Sequence, residues 1–463
     1  MDTSVMSFDL DPKDDPEGFV MVDRPDQTHH QPPTAVESRK SRRCEPPPKL
    51  PPPVYLTEIS TYIDNLTTSL WPINKTIHDN PELGFDEVIA HETLTAFMET
   101  QPGWTVTRSA YGMTTAFVAI YGSGSPVVSF NAEMDALPGI GHACGHNLIA
   151  TASVAAALAT AYILSKHQLP AKVVLFGTPA EEGGGGKIKL LNAGAYTRDH
   201  KIDISLIAHP GSVPDAAMVT TTAYVRFRVE YFGREAHAAA EPWKGINALD
   251  ALITAYNGLS VLRQQTMAGD VIQGHITDGG AAPNIIHAYA AGVFVVRSHS
   301  QKRLDELLEK VEACFRAGAL ATGATLRMTR LGAYRNHVPN RTIAERYARY
   351  FNELDPPTRI REDQNEESFA SSDQGDVSFA VPSLMPGFAI PTRDGAGPHT
   401  PGFAEASGTR EAFGRCLRVA KGLAGAAVDV VAVDGVLERV KEDWRRGMRD
   451  KEEYNGLGED VAV

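Results

Sequence analysis

Cys144 and His146 lie two residues apart in the segment NAEMDALPGIGHACGHN. In a constrained turn that spacing lets a thiolate and an imidazole converge on one cation. The same segment carries Glu133 and Asp135 at the end of an apolar run, and His142 in the turn itself. A second acidic pair, Glu181 and Glu182, follows the run KVVLFGTPA and precedes four glycines. Adjacent carboxylates repel and are usually just solvated surface groups. At a strand end, however, one can face a metal and the other a water, the division of labour that metal-assisted hydrolysis needs. His209 ends the run DISLIAHPG, and His399 sits in the turn GAGPHTPGF. Taken singly, a Cys or His is more often a satisfied interior residue or an exposed one. Four strand-end or turn segments that each offer a metal-type ligand favour a metal site.

Two other chemistries fit less well. A thiol near histidines can be activated for redox work, but no second cysteine lies close to Cys144 in sequence to resolve a disulfide. The glycine run 183–186 lacks the spacing of a phosphate-binding loop that ends in Gly-Lys-Ser/Thr.

These residues need elements to hold them. From Tyr55 a helical pattern leads to HDNPELGFDEVIAHETLTAFME, where Pro81 interrupts one helix and acidic residues open the next. Strands and helices then alternate: TTAFVAIYG, PVVSFNAEMDA, a helix from Asn147, KVVLFGTPAEE, the helical KIKLLNAGAY and DISLIAHPG. Nearly continuous apolar strands between helices predict an α/β fold, a mostly parallel sheet with helices on both faces, whose carboxyl edge is where such sheets place their sites. Between 220 and 333 the order becomes strand, helix, strand, strand, helix, strand. That is the split βαβ pattern of a ferredoxin-like (βαββαβ) unit. Helices and the apolar run AVPSLMPGFAI then resume the first pattern. The first domain is therefore expected to be discontinuous, over 54–219 and 334–445. Residues 1–53, rich in Pro and charge, are expected to be a disordered tail, and 446–463 a second tail.

Composition sets limits on partners. The 463 residues carry a net charge of −13, which gives no reason to expect nucleic acid or an anionic membrane surface as partner. The basic run RKSRR at 39–43 reads as a solvated cluster in a tail rather than a nuclear signal. Four scattered cysteines do not form a secreted disulfide framework, and the acidic first twenty residues do not resemble a signal peptide. A cytoplasmic location is expected. The apolar stretch from Leu148 to Leu164 is short for a membrane span and reads as a buried helix.

Several segments, in order, resemble the dinuclear metal amidohydrolase and exopeptidase family of clan MH, which includes aminoacylase, the auxin-conjugate hydrolases and aminobenzoyl-glutamate hydrolase. They are HDNPELGFDE, DALPGIGHACGHN, GTPAEEGGGGK, AHP, GREAHAAAEPWKGINALDA, GAAPNIIH, SSDQGDVS and PHTPGF, spread from residue 55 to about 430. The resemblance is greatest to the β-alanyl-lysine dipeptidase branch. It implies two divalent metal ions held by Cys144, His146, Glu182, His209 and His399, with Glu181 as catalytic base. Glu181 would take a proton from a water acidified by the metals, let that water attack the amide carbonyl, and hand the proton to the leaving amine. In the inserted unit, His237 resembles a histidine that reaches across a homodimer to the oxyanion, and Asn284 and Arg297 resemble groups that position substrate. The insert would thus serve as lid and dimer surface. An internal salt bridge is the bland alternative for Arg297.

The chain also departs from the family pattern. Glu133-Met134-Asp135 stands where many members have His-x-Asp, so Asp135 is expected to orient a ligand rather than bind metal. Gly402 stands where Glu is common. The sulfur of Cys144 favours zinc over manganese or nickel. Hydrolysis of a dipeptide or N-acyl-amino acid is the expected reaction; the reverse, amide formation, would use the same residues. A metal-binding scaffold without activity would be expected to lack Glu181 or a ligand, and all six residues are present.

Overall fold

The structure, a computed structural model, describes residues 53–361 and 364–452. By internal contacts the chain divides into Met1–Pro51 and Pro52–Val463, and every described residue belongs to the second unit. The expected N-terminal tail, Pro53 apart, lies outside the described residues, as does the stretch beyond Glu452.

The fold has mixed α/β content. A six-stranded sheet runs in the order Trp104–Arg108, Phe117–Gly122, Lys172–Thr178, Val127–Glu133, Ile204–Leu206, Ser383–Leu384. The last four strands are mutually parallel, while the first two pair antiparallel along one edge. The antiparallel edge was not anticipated from the sequence. Val127–Glu133 is buried at every position, as expected of a strand covered on both sides. In Lys172–Thr178 the pleat sends Val173 and Leu175 into the large core and Val174 and Phe176 into a second one on the opposite face. The large core is closed by the helices Leu56–Asp79, His146–Lys166, Arg341–Asn352 and Arg410–Ala432. The second core takes Leu190 from the short helix Gly186–Asn192 and Val377 from Gln374–Ala380.

The helix His146–Lys166 is longer than its apolar run suggested. It is long and apolar enough to suit a membrane span, but nearly all of it is buried inside the protein. It is the central core helix, as its Ala-rich sequence predicted.

A second sheet, fully antiparallel, has the order Thr325–Tyr334, Ala223–Phe232, Tyr289–Ser298, Val271–Asp278. Two helices, Ala248–Leu262 and Gln301–Thr322, share a separate core with it. Each begins at a polar cap: the Asn247 side chain accepts from the N–H of Leu249 and Asp250, and that of Ser300 from Arg303. The final helix, Val436–Glu452, continues through the first residues of the stretch expected as a tail from 446. Val436 and Val440 of this helix join the large core, and Met448, within the stretch expected as a tail, is buried as well.

Candidate active site

The parallel strands end at a common edge, and four segments of the chain meet there. Val127–Glu133 ends in Glu133 and leads through Asp135 into a turn that presents Cys144. His146 is the first residue of the core helix, after Gly145 at φ 78°. A Cβ on Gly145 would stand 2.7 Å from Pro210 Cγ, so the turn closes only with glycine. Lys172–Thr178 leads to Glu181 and Glu182. His209 opens a short strand that pairs in parallel with Gly387–Ala389, and His399 is held in a turn by its N–H donating to Ala143 O at 2.8 Å. Ala180 at φ 55° and His399 at φ 65° occupy left-handed backbone, a strain of about 1–3 kcal/mol each that tends to gather at working sites.

The side chains converge. Potential ligand atoms lie within 4.8 Å of one another in three overlapping groups: Cys144, His146 and His209; Cys144, Glu182 and His399; and His146, Glu181 and Glu182. Cys144 Sγ is 3.4 Å from His209 Nε2, and His399 Nε2 is 3.4 Å from Glu182 Oε1. His146 Nε2 faces Glu133 Oε2 at 3.5 Å, Glu181 Oε2 at 3.8 Å and Glu182 Oε1 at 3.9 Å. All six residues singled out from the sequence as ligands or base are thus neighbours. His142, from the same turn, stands aside: it is buried beside His78, with ring centroids 6.4 Å apart, and burial pushes its pKa down to about 3.

The backbone around Glu181 is fixed by side chains. Asp135 accepts the N–H of Glu181 at 3.0 Å and of Glu182 at 2.9 Å, and its Oδ1 is 3.1 Å from His146 Nδ1. Burial alone would raise the Asp135 pKa, but the His146 imidazole and these two N–H groups hold it below its ordinary value. Buried Glu87 accepts the N–H of the strained Ala180 at 2.8 Å and the Thr115 hydroxyl at 2.6 Å. The Tyr334 hydroxyl donates to the Glu181 carbonyl at 2.7 Å and accepts from the Gly185 N–H at 3.0 Å. Burial, with the nearby carboxylates Glu133, Glu182 and Asp373, holds the Glu181 pKa well above the ordinary carboxylate range in the metal-free protein.

Sequence reasoning missed a buried ion cluster beneath this turn. Lys187, fully buried, donates to Glu133 Oε1 at 2.6 Å and Asp373 Oδ1 at 2.5 Å. Its ammonium serves Glu133 and Asp373, two members of a fourth group of clustered carboxylates completed by Glu181. The signal lay in GGGGK and SSDQGDVS, but a lysine after glycines reads as surface.

The residues expected from the insert are placed differently. His237 and Asn284 are exposed and lie on adjoining segments, with the Ala238 N–H donating to the Asn284 carbonyl at 3.0 Å. Neither has a hydrogen bond to the cluster among the described residues. His237 Nδ1 instead accepts the N–H groups of Ala239 and Ala240 at 3.2 and 3.1 Å. Arg297 donates to Ser371 Oγ at 2.8 Å and lies 4.9 Å from the Tyr224 ring centroid. No ion pair to it is found among the described residues, so the bland salt-bridge alternative does not hold.

The donor set fits divalent metal. Among the described buried atoms, His146 Nε2, Glu133 Oε2 and Glu182 Oε1 lack hydrogen-bond partners, and leaving such groups bare is costly unless a cation satisfies them. One thiol, three imidazoles and a carboxylate form a set of borderline softness. Burial pushes the Cys144 thiol up in the bare protein, and a bound cation reverses that preference.

The sequence profile of Peptidase family M20/M25/M40 matches residues 129–407. The Xaa-Arg dipeptidases of Mus musculus and Homo sapiens are each 40% identical to the chain, covering 85% of it and 93% of the relative. A p-aminobenzoyl-glutamate hydrolase component from Escherichia coli is 31% identical over 58% of each chain. Among solved structures, an aminobenzoyl-glutamate utilization protein from Klebsiella pneumoniae superposes with a TM-score of 0.61 at 18% identity, over 81% of this chain and 99% of that one. A dinuclear metal-binding peptidase of the M20 family from Bacillus subtilis does so with a TM-score of 0.59 at 18% identity, over 79% and 99%. These two speak for the fold, while the profile and the 40% identity speak for descent: the chain belongs to peptidase family M20/M25/M40.

Proposed function

We propose that the chain hydrolyses the amide bond of a dipeptide or N-acyl-amino acid that bears a free carboxylate, with Glu181 as general base. Membership of the family makes it a metallo-amidohydrolase. The reading of its residues rests above all on Glu181, whose carboxylate is grouped with the ligand-type His146 and Glu182 while its backbone is tied to Asp135. Cys144, His146, Glu182, His209 and His399 would hold two divalent ions, zinc in preference to manganese or nickel because of the sulfur. Such ions would polarise the scissile carbonyl and acidify the attacking water. Glu181 takes a proton from that water as the hydroxyl adds to the carbonyl carbon, then gives it to the amine nitrogen as the carbon–nitrogen bond breaks. Asp135 holds His146 in one orientation and keeps Glu181 aimed.

The antiparallel unit of 220–333 is taken as a ferredoxin-like lid inserted into a catalytic domain formed by 54–219 and 334–445. Its strand order, with the first and third strands central, supports that. Arg297 suits a substrate carboxylate, since its guanidinium offers paired donors and meets no carboxylate of its own. His237 and Asn284, exposed and apart from the cluster, fit a homodimer in which the partner's His237 completes the site. The largely exposed strand Val271–Asp278, at the sheet edge, supports such pairing. A cytoplasmic location remains part of the proposal.

The test is hydrolysis of β-alanyl-lysine, dipeptides ending in arginine, N-acetyl amino acids and aromatic acyl-amino acids, with and without chelator, beside Glu181→Gln. Cleavage that chelator abolishes, that zinc or manganese restores, and that a metal-loaded Glu181→Gln variant lacks is the expected result. Cleavage that survives Glu181→Gln would overturn the assignment of the base.

A further inference from the structure

Tyr334 is the last residue of the strand Thr325–Tyr334, where the chain leaves the antiparallel sheet. Arg297, Tyr224 and Tyr334 stand directly opposite one another on three neighbouring strands. Their side chains continue that row: the Arg297 guanidinium lies 4.9 Å from the Tyr224 ring centroid, and the Tyr224 and Tyr334 rings meet edge to face at 5.1 Å. The row ends on the catalytic turn, where the Tyr334 hydroxyl bridges the Glu181 carbonyl and the Gly185 N–H.

Within itself that turn is held by two short-range backbone hydrogen bonds, Gly183 N–H to the Glu181 carbonyl at 2.6 Å and Gly184 N–H to the Ala180 carbonyl at 3.0 Å. Gly183, Gly184, Gly185 and Gly186 follow Glu182, and glycines bring neither side-chain packing nor a restricted backbone. Three outside groups brace it: Glu87 at Ala180, Asp135 at Glu181 and Glu182, and Tyr334 across its span. Glu87 and Asp135 belong to the segments that carry the six-stranded sheet and its helices, and only Tyr334 belongs to the antiparallel sheet.

We propose that Tyr334 is a positioning residue that couples Arg297 to Glu181, so that the base is held in its working place when Arg297 is engaged by a substrate carboxylate. This rests on the reading of Glu181 as base and Arg297 as carboxylate group. A shift of the antiparallel sheet that moves Arg297 moves the same row of rings, and through the hydroxyl it moves the backbone that aims Glu181. The free carboxylate of the substrate thereby affects turnover as well as binding, and selects acids over their carboxamides at the chemical step.

The test compares a dipeptide with its C-terminal carboxamide on the metal-loaded, full-length chain. In Tyr334→Phe, which keeps the ring and removes the hydroxyl, kcat for the acid is expected to fall about tenfold with KM changed by less than about twofold. Metal content should be unchanged, and the acid-to-carboxamide ratio of kcat should shrink by a similar factor. Tyr350→Phe is the control, because it removes another buried hydroxyl, bonded to Asp429 Oδ1 at 2.8 Å between two helices of the large core. It should alter Tm and leave the ratio intact. If Tyr334→Phe does not fold, Tyr224→Leu decides, since it breaks the row while sparing the hydroxyl and should also shrink the ratio. A wild-type ratio in the variant that folds overturns the coupling, even if Tm and kcat fall together. Absence of hydrolysis by the wild-type chain, or activity in Glu181→Gln, would instead overturn the functional reading, and the two failures are read separately.

Discussion

The carboxylate of Asp135 accepts the backbone N–H of Glu181 at 3.0 Å through the same oxygen that faces His146 Nδ1. One side chain therefore orients an imidazole of the proposed metal set and the base beside it, and removing its charge should disturb both. Asp135→Asn is expected to weaken zinc binding by about 10–100-fold, measured by competition with a chromophoric chelator, and to lower kcat as well. Unchanged zinc affinity would mean that Asp135 does not orient His146.

Glu181→Gln keeps the size of the side chain and removes its ability to accept a proton. A loss of about 100-fold or more in kcat is expected for a general base, with zinc stoichiometry equal to that of the wild type by elemental analysis.

Lys187 neutralises Glu133 and Asp373 in a space closed to water. Lys187→Met would leave both carboxylates buried without their cation, a change of about 3–5 kcal/mol when one partner of a buried pair is removed. Thermal unfolding of the metal-free chain would show a large drop in Tm, and a shift of a degree or less would contradict the geometry.

Glu230, buried, accepts two hydrogen bonds from Arg327 and one from the Tyr289 hydroxyl. The Arg327 bonds come first in holding its pKa down from 4.5 to about 2. A carboxylate with a lowered folded-state pKa stabilises the protein above its unfolded value, and that contribution is lost as the pH falls through the folded value. The stability gap between wild type and Glu230→Gln should accordingly be constant above pH 4.5 and shrink between 4.5 and about 2. Differential denaturant titrations across that range provide the measurement.

What the sequence made legible follows from how local each signal is. The Cys144-x-His146 turn, the Glu181–Glu182 strand end and the two outlying histidines are short-range patterns at strand ends, and the fold brings all six groups together. The strand and helix alternation was readable because buried parallel strands are apolar at every position, as in Val127–Glu133. Strand direction is not written in such a pattern, so the antiparallel pairing of Trp104–Arg108 with Phe117–Gly122 went unforeseen. Lys187 and Tyr334 were invisible for a different reason: each acts through partners far away in the chain, and a lysine or a tyrosine alone carries no sign of them. Arg297 was read with two alternatives, and the structure removes one by giving it Ser371 and Tyr224 instead of a carboxylate.

The core helix His146–Lys166 has a consequence for how the chain is made. It is apolar enough for a bilayer, yet its largest helical neighbour is Arg410–Ala432, close to the other end of the sequence. During synthesis this helix leaves the ribosome long before that neighbour exists, and throughout that interval its surface is open to any other sticky segment. Low concentrations or a chaperone that masks apolar helices should therefore raise the refolding yield steeply, and the residue that opens this vulnerable helix is the same His146 on which the proposed metal site is built.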